Sequence, residues 1–218
     1  MTDSIKSRET VEWLNFWYDD ANVESQKRVL FFGDSTLREV RSTVKSRLCC
    51  PVDFFGSSSA LRDVMFWKQL DTFFDSRYAC YDVIVIQTGN HSRTGIDGGA
   101  WQPSDHDEYR AMFRRLLQRL RAYSDKLLVL PAFLIVKAPE HLGRVRRVLR
   151  LPEVYDRKEN AIISRRNEIM REVADEAGIS FFDLTEAMLR SKYVHKDHIH
   201  YENAAKPFIT DLILPYIK

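Results

Sequence analysis

Five short apolar runs, the first three broken off by glycine and small polar residues, constrain this chain more than any other feature. They read RVLFF at 28–32, PVDFF at 51–55, DVIVIQ at 82–87, KLLVL at 126–130 and ISFFD at 179–183. Near-continuous runs of this length, rather than alternating ones, mark strands buried on both faces, as in parallel sheets. Between them the apolar residues recur at helical spacing, predicting helices over about 36–48, 60–74, 105–123 and 160–177. The third is the clearest, with Tyr109, Met112, Phe113, Leu116, Leu120 and Tyr123 on one face and Ser104 or Asp105 as its N-cap. A last helix begins near Asn203, where Pro207 fits only within the first turn.

Strand and helix alternating in this order predict an α/β chain: a three-layer α/β/α sandwich around a central, mostly parallel five-stranded sheet. The length of 218 residues fits a single domain spanning 1–218. Trp13, Leu14, Phe16 and Trp17 read as one face of an N-terminal helix at about 8–20, with the two tryptophans as core. The stretch 131–159 reads as an insertion. It carries Pro131, Pro139, Pro152 and a basic cluster of Arg144, Arg146, Arg147 and Arg150, either a solvated helix face or a contact for an anionic partner.

Composition narrows the function classes. With 44% hydrophobic residues the chain can bury a substantial core, and a formal charge of +2 argues against a dedicated nucleic-acid binder. No segment reads as a membrane span, and the N-terminus lacks the apolar core of a signal peptide. The cysteines Cys49, Cys50 and Cys80 form no disulfide framework, read as small buried hydrophobes and suit a reducing compartment. A cytoplasmic setting is therefore expected. The sequon Asn90-His91-Ser92 points the same way, because a glycan on Asn90 would sit in the candidate site.

In open α/β sheets ligands bind beyond the carboxyl ends of the strands. There the first strand delivers Gly33-Asp34-Ser35, the second Gly56-Ser57-Ser58 and the third Gly89-Asn90-His91, while HKDHIHY at 195–201 precedes the last helix. Together these supply a hydroxyl, an imidazole, a carboxylate and donors for an oxyanion, which is the inventory of acyl transfer. Each fragment also has a plainer reading. Asp34-Ser35 can cap a helix, and Gly56 and Gly89 can be turn glycines. His195, Asp197, His198 and His200 can be weighed as metal ligands, but four ligands from six consecutive residues demand sharp backbone folding, so no metal is expected. His106 and His141 carry no signal.

The ordered set resembles the SGNH (GDSL-type) hydrolase superfamily over about residues 28–215. Gly33-Asp34-Ser35 matches its first block, Gly56 the glycine of the second, Asn90 the asparagine of the third, and Asp197-His198-Ile199-His200 the D-x-x-H of the last. One departure is visible: the third block is usually G-x-N-D, whereas Gly89 and Asn90 are adjacent and His91 follows. The resemblance implies a flavodoxin-like fold and a serine esterase without a cofactor. It implies Ser35 as nucleophile, His200 as base in preference to His198, and Asp197 as the partner of His200. The oxyanion hole would be the N–H groups of Ser35 and Gly56 with the Asn90 side chain, glycine at 56 allowing close backbone approach. GDSTLR and TGNH resemble the PC-esterase-like branch, which acts on O-acetylated glycans. That implies a small-molecule or glycan acyl ester as partner and Arg38 as a contact to the substrate or to the groups that hold it. His91 reads as a loop or substrate-rim histidine, and Trp101, in the Gly-rich loop TGIDGGAWQP that leaves the same end of the sheet, as a platform for a sugar or acyl group. A carbohydrate O-acetyltransferase using the same triad, or an inactive glycan-binding module, are the alternatives.

Overall fold

A computed structural model describes residues 12–22, 27–75, 80–91, 101–137, 149 and 151–218. Its strands are β1 (Leu14–Trp17), β2 (Val29–Gly33), β3 (Val52–Ser57), β4 (Val83–Gln87), β5 (Leu127–Leu130) and β6 (Ser180–Phe181). Its helices are α1 (Ser35–Lys45), α2 (Val64–Asp75), α3 (Pro103–Leu120), α4 (Arg157–Glu176), α5 (Thr185–Arg190) and α6 (Ala205–Ile217). The strands form one sheet in the order β1-β3-β2-β4-β5-β6, parallel throughout except for β1.

Every residue of β2, β3, β4 and β5 is buried, which is why these strands read as unbroken apolar runs. Their side chains divide by parity into two cores. Leu30, Phe32, Phe55, Ile84, Ile86 and Val129 face α2, α3 and α4. Val29, Phe31, Phe54, Val83, Val85 and Leu128 face α1, α5 and α6. Helices thus cover both faces, as the alternation of elements predicts.

The N-terminal segment differs from expectation. Leu14–Trp17 is not a helix but a sixth strand, antiparallel to β3, with Asn15 opposite Gly56 and Trp17 opposite Phe54. Residues three and four apart can mimic a helical stripe, but here the period is two. Trp13, Asn15 and Trp17 face α1, where Arg38 and Arg41 lie over Trp13 and Trp17. Phe16 and Tyr18 face the other way and stack on Phe55 and Phe73. The edge of β3 supplies the partner that makes this segment a strand.

Smaller differences follow local chemistry. Helix α3 starts at Pro103 rather than 105, and Asp105 sits inside its first turn, accepting from the Gln102 N–H at 2.6 Å. The last parallel strand shrinks to Ser180–Phe181. Cys49 and Cys80 are exposed and Cys50 is half-buried, so they do not act as buried hydrophobes. Of the insertion, 131–137, 149 and 151–159 are described, with Val136 bridging Tyr155; the basic cluster falls outside the described residues. Among the described residues no helix is long and apolar enough to cross a membrane.

Candidate active site

The connection out of β2 leads to β3 on one side of it, and the connection out of β3 leads to β4 on the other. This reversal opens a crevice at the carboxyl end of β2, the place where α/β sheets bind ligands. Gly33 closes β2 against β4. A Cβ there would stand 2.2 Å from the Gln87 carbonyl oxygen, so only glycine lets the strands pair and turn at this point. Asp34 then caps α1, accepting from the Thr36 N–H at 2.9 Å, and Ser35 becomes the first helical residue. The cap reading and the nucleophile reading therefore fall on adjacent residues.

Ser35 is only 8% exposed. Its Oγ lies 2.7 Å from His200 Nε2. His200 Nδ1 faces Asp197, 2.9 Å from Oδ2 and 3.1 Å from Oδ1. With the ring proton on Nδ1, where a carboxylate accepts it, Nε2 is free to accept from the Ser35 hydroxyl. The D-x-x-H spacing curls the backbone round the carboxylate, whose Oδ1 also accepts the N–H groups of Ile199 (2.9 Å) and His200 (2.7 Å). Burial pushes the Asp197 carboxyl up, but those two backbone donors and the imidazole outweigh it and hold the group below its ordinary value. His200, not His198, reaches the serine; His198 is exposed and its carbonyl accepts from the Val136 N–H at 2.9 Å.

The other histidine of the cluster has a different task. His195 is buried, with Nδ1 2.9 Å from Glu153 and Nε2 3.0 Å from the Leu134 carbonyl. Among the described residues no group of three or more His, Cys, Asp or Glu side chains is arranged to hold a metal ion.

The remaining predicted residues are distributed as follows. Gly56 sits inside β3, paired with Asn15 and Gly33, so its N–H lies in the plane of the sheet rather than beyond its edge. The space a Cβ would take at Gly56 is occupied by the Phe54 and Trp13 rings. Asn90 is buried beyond β4, following Gly89 at φ +114°. Arg38, one turn along α1 from Ser35, lies 5.2 Å over the Trp13 ring, and His91 meets the same ring edge-on at 6.1 Å. Arg38, Trp13 and His91 thus form one wall. Trp101 lines a cavity of about 590 Å³, open mouth included, beside Gly33, Asp34 and Gly89.

Three residues of this region escape sequence reading. Trp13 reads as the core of a helix where the structure has the approach to a strand. Arg62, paired with Asp105 and Glu108, lines the cavity from the turn before α2. Arg166 enters the same cavity from α4 and is 2% exposed. Its position offers a usable signal, since it falls in register with Ile163, Ile169, Met170 and Val173 on a helix face that is apolar but for Arg166 itself and Asn160.

The fold is that of the SGNH hydrolases. The acetyl xylan esterase AlAXEase matches with a TM-score of 0.61 and 16% identity, over 88% of this chain and 100% of that one. The acetylxylan esterase Axe2 from Geobacillus stearothermophilus matches at 0.58 and 16%, over 88% and 94%. A proposed SGNH hydrolase from Slackia heliotrinireducens matches at 0.61 and 12%, over 89% and 100%. Solved catalytic mutants of Axe2 carry alanine in place of a serine, an aspartate and a histidine, the last two three positions apart. No family model and no curated protein sequence matches the chain.

Proposed function

We propose that this protein is a serine esterase that acts through an acyl-enzyme on O-acetyl, or other short acyl, esters of carbohydrate. The observation that carries the reading is the continuous line from Ser35 Oγ through His200 to the Asp197 carboxylate. Ser35 Oγ attacks the ester carbonyl and passes its proton to His200 Nε2, while Asp197 stabilises the imidazolium. His200 then returns the proton to the departing sugar oxygen. Water repeats the sequence on the acyl-Ser35 ester and releases the acid. The negative charge of each tetrahedral intermediate is taken by the Ser35 N–H, one of the N–H groups that α1 leaves without a helical acceptor, and by the Asn90 amide. Gly56 stands as a packing residue and not as a third donor.

The substrate class rests on the fold shared with acetyl xylan esterases and on the same three residue types, with Asp and His in the same spacing, mutated in one of them. The Arg38–Trp13–His91 wall offers aromatic and cationic surface for a sugar ring beside the serine. A fluorophosphonate probe is expected to label the folded wild-type protein and not Ser35→Ala. Acetate release from acetylated xylo-oligosaccharides, with and without an added sugar acceptor, separates hydrolysis from transfer. Absence of labelling on folded wild-type protein overturns the reading.

A further inference from the structure

Helix α4 carries a charge where its apolar stripe leads one to expect a hydrocarbon. Arg166 shares its buried face with Ile163, Ile169, Met170 and Val173. Burying a guanidinium is costly, and an apolar side chain of similar volume usually serves packing as well or better. What the guanidinium does here is bridge two backbone groups: Nη1 donates to the Gly89 and His91 carbonyls at 2.7 Å each. Those carbonyls flank Asn90. The bridge therefore holds the peptide before Asn90 and the one after His91, across a turn whose first residue sits at φ +114°. The guanidinium is itself held, lying 4.1 Å over the Trp101 ring, whose Nε1 donates to His106 Nδ1 at 2.8 Å.

The same helix treats the next strand similarly. Asn167 accepts from the Ala132 N–H and donates to the Ala132 carbonyl at 2.8 and 2.9 Å, and Asn160 does the same for Ile135 at 2.8 Å each. Three polar side chains of α4, Asn160, Arg166 and Asn167, thus anchor the segments leaving β4 and β5.

We propose that Arg166 is a positioning residue for oxyanion stabilisation: by clamping both ends of the Gly89-Asn90-His91 turn it holds the Asn90 amide where negative charge develops beside Ser35. This rests on the esterase reading above. An oxyanion donor is effective only when it is oriented before the charge appears, so a loosened turn weakens the transition state more than the ground state.

The test is a double-mutant cycle on the full chain, with p-nitrophenyl acetate as probe. Asn90→Ala is expected to lower kcat on the order of 100- to 1,000-fold. Arg166→Met is expected to lower kcat roughly 10- to 100-fold with KM within about twofold, because the donor is misplaced rather than removed. In the Asn90→Ala background, adding Arg166→Met changes kcat by less than about threefold, since the residue through which it acts is already gone. Arg166→Lys, which keeps the charge but not the planar guanidinium that lies over Trp101 and fixes Nη1 between the two carbonyls, falls between wild type and Arg166→Met, and serves in the same cycle if the Met variant does not fold. Equal losses in both backgrounds, an unchanged kcat in the Arg166 variants, or wild-type rates in Asn90→Ala overturn the proposal. A wild type whose Ser35 is not labelled by a fluorophosphonate overturns the esterase reading, and this inference with it. A labelled wild type with an additive cycle overturns this inference alone.

Discussion

On the esterase reading, replacing Asp197 by asparagine leaves the shape of the turn at 195–200 and moves one proton. In the native turn Oδ1 takes the Ile199 and His200 N–H groups, while Oδ2 lies 2.9 Å from His200 Nδ1. The carbonyl of the substituted amide can keep both backbone bonds, but the amide nitrogen then faces Nδ1 and donates to it. The ring proton must shift to Nε2, the atom 2.7 Å from Ser35 Oγ. Ser35 loses its base, and the imidazolium formed in the transition state loses a carboxylate that the backbone donors keep ionised at neutral pH. Serine hydrolases that lose this tautomer control drop about 10⁴-fold in kcat, which corresponds to about 5 kcal/mol of barrier. Stability should change little, because the turn's own hydrogen bonds survive; melting temperatures within about 4 °C of wild type are expected. Steady-state hydrolysis of p-nitrophenyl acetate near neutral pH, alongside thermal melts, reads both quantities. A variant that folds like wild type and keeps kcat within about tenfold refutes the reasoning.

Other perturbations test the scaffold around the site. Gly33→Ala drives a Cβ to within 2.2 Å of the Gln87 carbonyl, so β2 and β4 must separate; an overpacking cost of about 2–3 kcal/mol or more is expected, read as a lowered urea midpoint. Arg28→Met removes the guanidinium 2.7 Å from the fully buried Asp53, whose carboxylate also accepts from the Asp19 N–H and the Tyr81 hydroxyl; a loss of about 3–5 kcal/mol is expected, largely recovered in Arg28→Met/Asp53→Leu. Glu153→Gln tests a pH dependence. Burial raises the Glu153 carboxyl, but the His195 ring and N–H, with Tyr155, outweigh it and hold the group below its ordinary value of 4.5. A depressed carboxyl stabilises the fold above its unfolded pKa and loses that contribution as pH falls through the folded value. The variant should therefore melt below wild type at neutral pH, the gap closing in acid; a gap that is constant with pH assigns the effect to packing.

What was legible in the sequence depended on whether the cause was local. The strands β2 to β5 could be read because burial on both faces forces a run such as VLFF whatever its neighbours are. The strand ends point to an acyl-transfer inventory, but Ser35, Asp197 and His200 are singled out within it by their resemblance to the first and last blocks of the SGNH hydrolases; taken alone, Asp34-Ser35 reads as a helix cap. The segment at Trp13–Trp17 could not be read, since its spacing satisfies two periods and the deciding factor is the open edge of β3, about forty residues away. Arg166 is a mixed case. Its intrusion into an apolar stripe is local and visible, but the Gly89 and His91 carbonyls that explain it are more than seventy residues distant.

The insertion at 131–159 shows how the two kinds of cause combine. Its basic cluster suggests a solvated helix face or a contact for an anionic partner, and both ideas concern its middle. Its described flanks do something else. Leu134 offers its carbonyl to His195 Nε2, and Val136 donates to the His198 carbonyl. From the far flank Glu153 takes the His195 N–H at 2.6 Å and faces its Nδ1 at 2.9 Å, while Lys137 donates to the Val154 carbonyl and joins the flanks. The turn at 195–200 is therefore gripped from both ends of the insertion, and Asn160 of α4 fixes the same strap at Ile135. A turn that must hold an imidazole within hydrogen-bond reach of a serine gains from fixed anchors, because misplacement of the base by about 1 Å already costs on the order of 100-fold in rate. The ends of the insertion belong to the framework of the candidate site, so, on the esterase reading, hydrolysis of p-nitrophenyl acetate is expected to survive a deletion trimmed to 140–148 and to be mostly lost in one that removes Glu153.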